Sequence, residues 1–422
     1  MSTSIDATLF DPFNPEFVQD PYPVYQILRD HDPVHRTAFG AWVLTRHEQI
    51  VAALKDPRLS NAPAPYAVVN RRNRERYTAA DVANTIIPFL DPPEHTAPRR
   101  LIANEFHAHL KDREGMIEGI ADDLLTGLRG TPEIEFLRDF ATPFSVAAIS
   151  RFMGYPEQDA DLLKGWSNWF FYLFTAIPSA EVLQGVNRAL TEFREYSRQI
   201  VEQRRRTPED DLISRLLHAR REGYALSERE LIDNCMLICA DGIENVESGL
   251  ATAVATFLQH PDQLDRMMRH PELMENAVEE VIRHQPPAQF IGRIALDQIE
   301  IGGKTIRPRD VVLLVLASAS RDPRAFPDPD RFDIEREDLR HLSFGRGRHS
   351  CIGGGLAAKE FQIALRAIFD GSRGISLKQP EITWIARMGH RWPESLNLIL
   401  ADTDPAAAAP GPSRTAPGVR PS

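Results

Sequence analysis

"HLSFGRGRHSCIGGGLA", residues 341–357, sets one of the chain's three cysteines behind Arg346, Arg348 and His349 and ahead of three consecutive glycines. In the "IGGGLAAKEFQIALRAIF" that follows, Leu356, Phe361, Ala364 and Ile368 recur on one face, so the spacing predicts a helix beginning just after Cys351. At such a place unpaired amides and the positive end of the helix dipole stabilise a thiolate. The basic residues add positive potential, and glycine lets the backbone approach the sulfur closely. A thiolate built this way can attack an electrophile or bind a metal; a buried, inert thiol is the third reading. A phosphate loop is excluded, because neither GxxxxGK[ST] nor GxGxxG is present. A structural zinc site fails on ligand count, since Cys235 and Cys239 fall on the apolar stripe of another helix and read as core.

The texture around this loop is mainly helical from about residue 98 to 285. Ser227 and Glu230 have capping-box spacing. Ile232, Cys235, Cys239, Ile243, Val246, Leu250 and Phe257 then form one stripe, until His260-Pro261 ends it. Roughly 30 residues at 1.5 Å each predict a helix of about 45 Å, long enough to cross a whole domain. A second helix is expected from near Pro271 to before Pro286. Beyond it, "QIEIGGKTI" reads as a hairpin turning at Gly302-Gly303, "DVVLLVLA" as a buried strand, and "RDPRAFPDPDRFD" as a proline-dense loop. There is no internal repeat.

Composition agrees with a globular chain. Of its 422 residues 42% are hydrophobic, enough for a large core. A formal charge of -11 argues against a nucleic-acid partner. Three cysteines cannot form a disulfide framework, which fits a reducing, cytoplasmic location. The N-terminus lacks a basic start and an apolar run, and the longest apolar stretch, residues 311–320, is far short of the roughly 20 residues that span a bilayer, so no membrane association is expected. Residues 1–400 are expected to form a single domain, and the Pro/Ala-rich tail, 401–422, to be disordered.

"FGRGRHSCIG", Phe344 to Gly353, resembles the haem-binding signature F-x-x-G-x-H/R-x-C-x-G of the cytochrome P-450 superfamily, the haem-thiolate monooxygenases, and matches every fixed position. The resemblance runs from about residue 10 to 400. It implies the triangular P-450 fold, mainly α with a smaller β region, with the long central helix over the haem. Cys351 becomes the axial thiolate ligand of the iron of haem b, with Phe344 and Gly353 beside it and His349 on a haem carboxylate. "DPPEHTAPRR" (91–100) resembles the stretch opening the helix at the haem edge, so His95 and Arg99 would meet the carboxylates, as would Arg293; Pro98 departs from the family's usual helix former. Glu280 and Arg283 match the family's E-x-x-R and would lock with Arg331 of the proline-rich loop.

The long helix also departs from the family's A/G-G-x-D/E-T. Here it reads Asp241-Gly242-Ile243-Glu244-Asn245, with a carboxamide replacing the alcohol. A hydroxyl both donates and accepts a proton, whereas a carboxamide relays poorly. Asp241, Glu244 and Asn245 are the candidate catalytic group. Asp241 shares a face with Asn245, Asn234 and Ser248; that face is either solvated or borders the pocket, where Asp241 would take a basic or hydroxyl group of the substrate. Phe89, Trp169, Phe170, Phe174, Gln289, Phe290 and Ile291 are the candidate pocket lining, and Trp166 belongs to the same aromatic segment. "VVNRRNRERY" (68–77) is a solvated arginine loop or a site for an anionic or carrier-bound substrate. The implied reaction uses dioxygen, with electrons from a ferredoxin-type partner and its reductase, to hydroxylate or oxidise a small-molecule substrate of secondary metabolism. Oxidative coupling or ring formation is the alternative within enzymes, and a non-catalytic haem sensor or carrier the alternative outside them. For docking the donor, Arg100, Arg346, Arg348 and Lys359 are expected on the cysteine side.

Overall fold

The computed structural model describes residues 5–175, 177, 179–370 and 373–402. One helix organises it. Glu228–Gln259 spans 32 residues, starting at the predicted capping box: Ser227 caps the Glu230 amide while the Glu230 carboxylate returns to the Ser227 amide. At 1.5 Å per residue it is about 48 Å long. Every member of the predicted stripe, from Ile232 to Phe257, is buried. The helix packs against Thr142–Met153, Ala160–Phe170, Ala180–Arg206 and Gly354–Ile368. Two glycines set how closely it does so. A Cβ on Gly242 would stand 2.7 Å from Ile149, and one on Gly249 2.5 Å from the Phe361 ring. Pro261 ends the long helix and opens the next, Pro261–Arg269, at a position where its missing amide costs nothing.

The expected second helix is a short turn, Pro271–Leu273, followed by Met274–His284. The β portion is small. A five-stranded sheet runs in the order Val34–Arg36, Trp42–Leu44, Val311–Leu314, Ile291–Ala295, Leu59–Ser60. Trp42–Leu44 is parallel to Val311–Leu314, with Val43 opposite Leu313, and the other pairs are antiparallel. The buried run at 311 is thus a strand only as far as Leu314; Leu316–Ala319 turns helical. Ile299–Ile301 and Lys304–Ile306 form the predicted hairpin. A third sheet joins Glu133–Glu135, Asn397–Asp402 and Arg373–Leu377. Its middle strand passes the expected domain edge at 400, so Ala401 and Asp402 are sheet residues; 403–422 lie outside the described residues.

The main core lies among the helices. A second lies under the five-stranded sheet, and a third gathers Phe10, Phe17 and Tyr25 against Phe290. Among the described residues, no helix is long and apolar enough to cross a membrane.

The buried charge cluster at the end of Met274–His284 corrects one expectation. Glu280 and Arg283 form a two-point pair (Nε to Oε2 2.6 Å, Nη2 to Oε1 2.9 Å), with both side chains fully buried. The third member is Arg336, whose Nε lies 3.2 Å from Glu280 Oε2, and not Arg331. Arg331 turns its side chain into solvent, 65% exposed, and contributes only its carbonyl, which accepts from both Arg283 and Arg336. The loop curls so that its backbone carbonyls face the cluster. A guanidinium has five donors, and those carbonyls use the ones a single carboxylate leaves free.

Candidate active site

The cysteine loop approaches its helix through Gly345 and Gly347, at φ 65° and 81°, backbone that a side chain at either position would strain. The Cys351 amide donates to the Phe344 carbonyl at 2.8 Å, closing the loop, and the helix begins three residues later at Gly354. The Phe344 ring lies over Gly354, where a Cβ would sit 3.5 Å away. Cys351 is accessible although protein encloses it, so it opens onto an interior space rather than the outer surface. Burial, and then the Asp241 carboxylate, push its thiol up to about 11 against the pull of the Gly353 and Gly354 amides and the Arg99 guanidinium. A thiolate here therefore needs a cation at the sulfur, as a bound metal provides.

Next to the cysteine is a group of two arginines and two histidines. His95 precedes the helix Thr96–Leu110, and Pro98 falls in its first turn, where a missing amide leaves no intrahelical bond unmade. The rings of His95 and His349 are 4.1 Å apart. Arg99 donates to the Ser350 carbonyl at 2.5 Å. Arg293 is buried and donates to the Gly292 carbonyl at 2.8 Å. His349 Nε2 is buried with no partner. Burial, then His95, Arg293, Arg348 and Arg99, hold the His349 imidazole down at about 3. Burial, then Arg99 and Arg348, hold His95 at about 4. Burial lowers Arg293 to about 10, against the pull of Asp91. Asp91 is itself taken up by the Ser60 hydroxyl and the Asn61 amide. So much positive potential around an unpartnered imidazole, with so little internal acid, fits a group carrying two carboxylates beside a thiolate-bound metal, which is the donor set haem requires.

On the long helix, Asp241 and Asn245 are both half-buried, one turn apart. Glu244 is buried and forms an ion pair with Lys164 of the helix Ala160–Phe170, 2.7 Å away. Lys164 also bonds Glu247, whose other oxygen accepts from Thr142 at 2.7 Å. Burial raises the Glu244 carboxyl and Lys164 lowers it. The sequence reading missed Lys164. Its signal was a lone lysine in the otherwise uncharged "LLKGWSNWF". Asn234 and Ser248 are buried rather than facing the interior space, and Asn234 Oδ1 pins the Ile87 amide at 3.0 Å.

The expected pocket lining divides. Phe89 and Phe174 meet across two loops, with ring centres 5.0 Å apart. Phe170 is fully buried core, and Trp166 is largely buried and donates to Glu192 near the surface. Trp169 wedges against Gly185 of Ala180–Arg206, where a Cβ would stand 2.7 Å from its ring. Gln289 and Phe290 correct the reading. Gln289 is buried, bonding the Pro286 carbonyl at 2.8 Å and the Tyr25 hydroxyl at 3.3 Å, and Phe290 packs on Phe10. Ile291 packs with the sheet core. Gln289 and Phe290 thus serve the N-terminal segment, and Ile291, the first residue of its strand, serves the sheet.

Arg71, Arg72, Arg74 and Arg76 are exposed, and none has an ion pair among the described residues. The expected basic surface near the cysteine is half neutralised. Arg100 pairs with Glu222 and Lys359 with Glu114, while Arg346 and Arg348 are exposed.

A helical body in which a single cysteine opens onto an enclosed space ringed by carboxylate-binding side chains defines a thiolate-ligated haem protein. The chain belongs to the cytochrome P450 family: the family model matches residues 64–370. It is 31% identical over 414 residues to the polyketide biosynthesis cytochrome P450 PksS of Bacillus subtilis (strain 168), covering 94% of this chain and all of the relative. The structure of CalO2 superposes with a TM-score of 0.87 at 31% identity, covering 93% of this chain and 99% of that one. That of P450BioI in complex with an acyl carrier protein ligated to hexadec-9Z-enoic acid gives 0.85 at 31%, covering 92% and 99%. The protein is a P450 monooxygenase, and the family works with a haem-thiolate cofactor, dioxygen and redox partners.

Proposed function

We propose that the chain is a single-domain, cytoplasmic monooxygenase that holds haem b through the Cys351 thiolate and hydroxylates or otherwise oxidises a small secondary metabolite. The observation that carries this reading is the convergence of His95, Arg99, Arg293 and the unpartnered His349 Nε2 on the side of an accessible, enclosed cysteine. In this reading Arg99 and Arg293 hold the cofactor's carboxylates with His95 and His349, and the amides of Gly353 and Gly354 donate to the sulfur. The bound group supplies dioxygen activation with two delivered electrons.

The protein's own residues manage protons and substrate. Asn245 replaces the relay hydroxyl, so the acid next to it takes on the relay. Glu244 is held by the part-exposed Lys164, which links the buried carboxylate to the surface. Phe89 and Phe174, whose rings meet, would line part of the substrate space. A ferredoxin-type donor with its reductase would dock on Arg346 and Arg348.

The test is the carbon monoxide spectrum of the reduced protein, followed by NADPH-driven product formation with a surrogate ferredoxin and reductase. A thiolate-type band that is lost in Cys351→Ala, together with oxygenated product, is expected. An imidazole-type band that persists in Cys351→Ala would overturn the assignment.

A further inference from the structure

Six acidic residues lie on the helix Glu228–Gln259, and five have a partner. Glu228 meets Arg205, and Glu230 meets Ser227 and Tyr224. Asp233 takes Arg194 in a two-point pair at 2.8 Å, and Glu244 and Glu247 share Lys164. Asp241 is the sixth. Among the described residues no side chain or amide donates a hydrogen bond to it, and no cation pairs with it. It is not a surface acid left to water, since protein encloses it, and burial alone accounts for its carboxyl rising to about 7. It overlooks the space onto which Cys351 opens, close enough for its charge to raise that thiol. One turn along the same face, Asn245 Oδ1 is buried and also without a partner.

Asp241 thus faces this space with no donor of the protein's own, and beside it Asn245 Oδ1 lies buried without a partner. Stranding a carboxylate is costly, and folded chains avoid it unless a partner arrives from outside. We propose that Asp241, with Asn245 Oδ1 beside it, anchors a protonated amine of the substrate, so that this monooxygenase selects molecules carrying a basic nitrogen near the position it oxidises. The inference rests on the monooxygenase reading above and names its substrate class. A neutral hydroxyl would satisfy the hydrogen bonding but leave the charge uncompensated, so the ammonium ion is the better complement.

The experiment uses the haem-loaded enzyme and three probes with a ten-carbon chain: N,N-dimethyldecylamine, 1-decanol and decanoate. The tertiary amine is protonated at neutral pH and too hindered to ligate iron well. Binding is read from the spin-state shift and, independently, by equilibrium dialysis. Wild type should bind the amine at least about tenfold more tightly than the alcohol, the size of one charge-assisted hydrogen bond, and decanoate most weakly. Asp241→Asn should remove that preference, bringing amine and alcohol to similar affinity, and Asp241→Glu should keep the order amine, alcohol, carboxylate. Asn245→Ala should lose a smaller part. A wild type that binds the alcohol or decanoate as tightly as the amine overturns the proposal, as does an Asp241→Asn enzyme with the amine preference intact. Should Asp241→Asn fail to fold, the wild-type ranking and Asp241→Glu decide. A reduced wild type lacking the thiolate-type carbon monoxide band would sink the haem reading instead, while the dialysis ranking still judges Asp241.

Discussion

Replacing Glu280 with alanine should cost about 3–5 kcal/mol, because it leaves a fully buried guanidinium without its carboxylate. The surroundings set where in that range it falls. Arg283 keeps the carbonyls of Ser320, Pro329 and Arg331 at 2.6, 2.9 and 3.3 Å, so its donors stay largely satisfied. The Asp333 amide, 2.9 Å from Glu280 Oε1, loses its acceptor, which adds about 1 kcal/mol. A value near the lower end follows. Arg336→Met removes a guanidinium bound to Glu280 and to three carbonyls, and should cost about 1.5–3 kcal/mol. Arg331→Met removes only an exposed side chain and should fall within about 0.5 kcal/mol of wild type. The assay is urea unfolding of the haem-loaded protein followed by far-ultraviolet circular dichroism, comparing midpoints at constant slope. If Arg331→Met proves as damaging as Arg336→Met, or Glu280→Ala loses less than about 1 kcal/mol, the cluster is not what braces this part of the fold.

Four further outcomes are expected. Lys164→Met removes what lowers the Glu244 carboxyl, so Glu244 stays protonated to higher pH and the acid limb of the kcat/KM profile should move upward; an unmoved limb would count against Glu244 as the titrating acid. Glu360 is buried with its Oε1 unpartnered, and burial raises its carboxyl well above the ordinary range. Above the unfolded carboxyl value near 4.3 the unfolded chain gives up a proton that the native state keeps, so wild type loses stability by about 1.4 kcal/mol per pH unit up to the native value. Glu360→Gln should lack that loss and gain on wild type between pH 5 and pH 7 in urea titrations; parallel curves would show that Glu360 is not the source. Asn245→Ala should change product formed per NADPH oxidised little, because a carboxamide relays protons poorly, whereas Glu244→Gln should lower it sharply; the reverse pattern would make the carboxamide the proton donor. Arg348→Glu should slow electron delivery from an acidic ferredoxin and weaken its salt dependence, while Arg100→Glu, already neutralised by Glu222, should do less; equal effects would move the docking surface elsewhere.

The local signals in the sequence were strong where one short stretch carries its own physics. The capping box at Ser227, the stripe ending at Pro261, the Gly302-Gly303 hairpin and the cysteine at a helix start are each decided within a few residues, and the structure contains all four. The family followed from ten contiguous residues, Phe344 to Gly353. What the sequence could not decide is which distant side chains meet. Arg331 and Arg336 are equally plausible partners for Glu280 on the page, and only the curl of the loop, which turns one side chain out and the other in, separates them. Gln289, Phe290 and Ile291 stand next to Arg293, but the strand carries them to the N-terminal and sheet cores. Lys164 lies 80 residues from Glu244, and Asp241 differs from its five paired neighbours only in what faces it across the fold. Periodicity and capping are local, whereas the partner of a buried charge is set by which helices cross above it, so the elements were legible in one dimension and their pairings only in three.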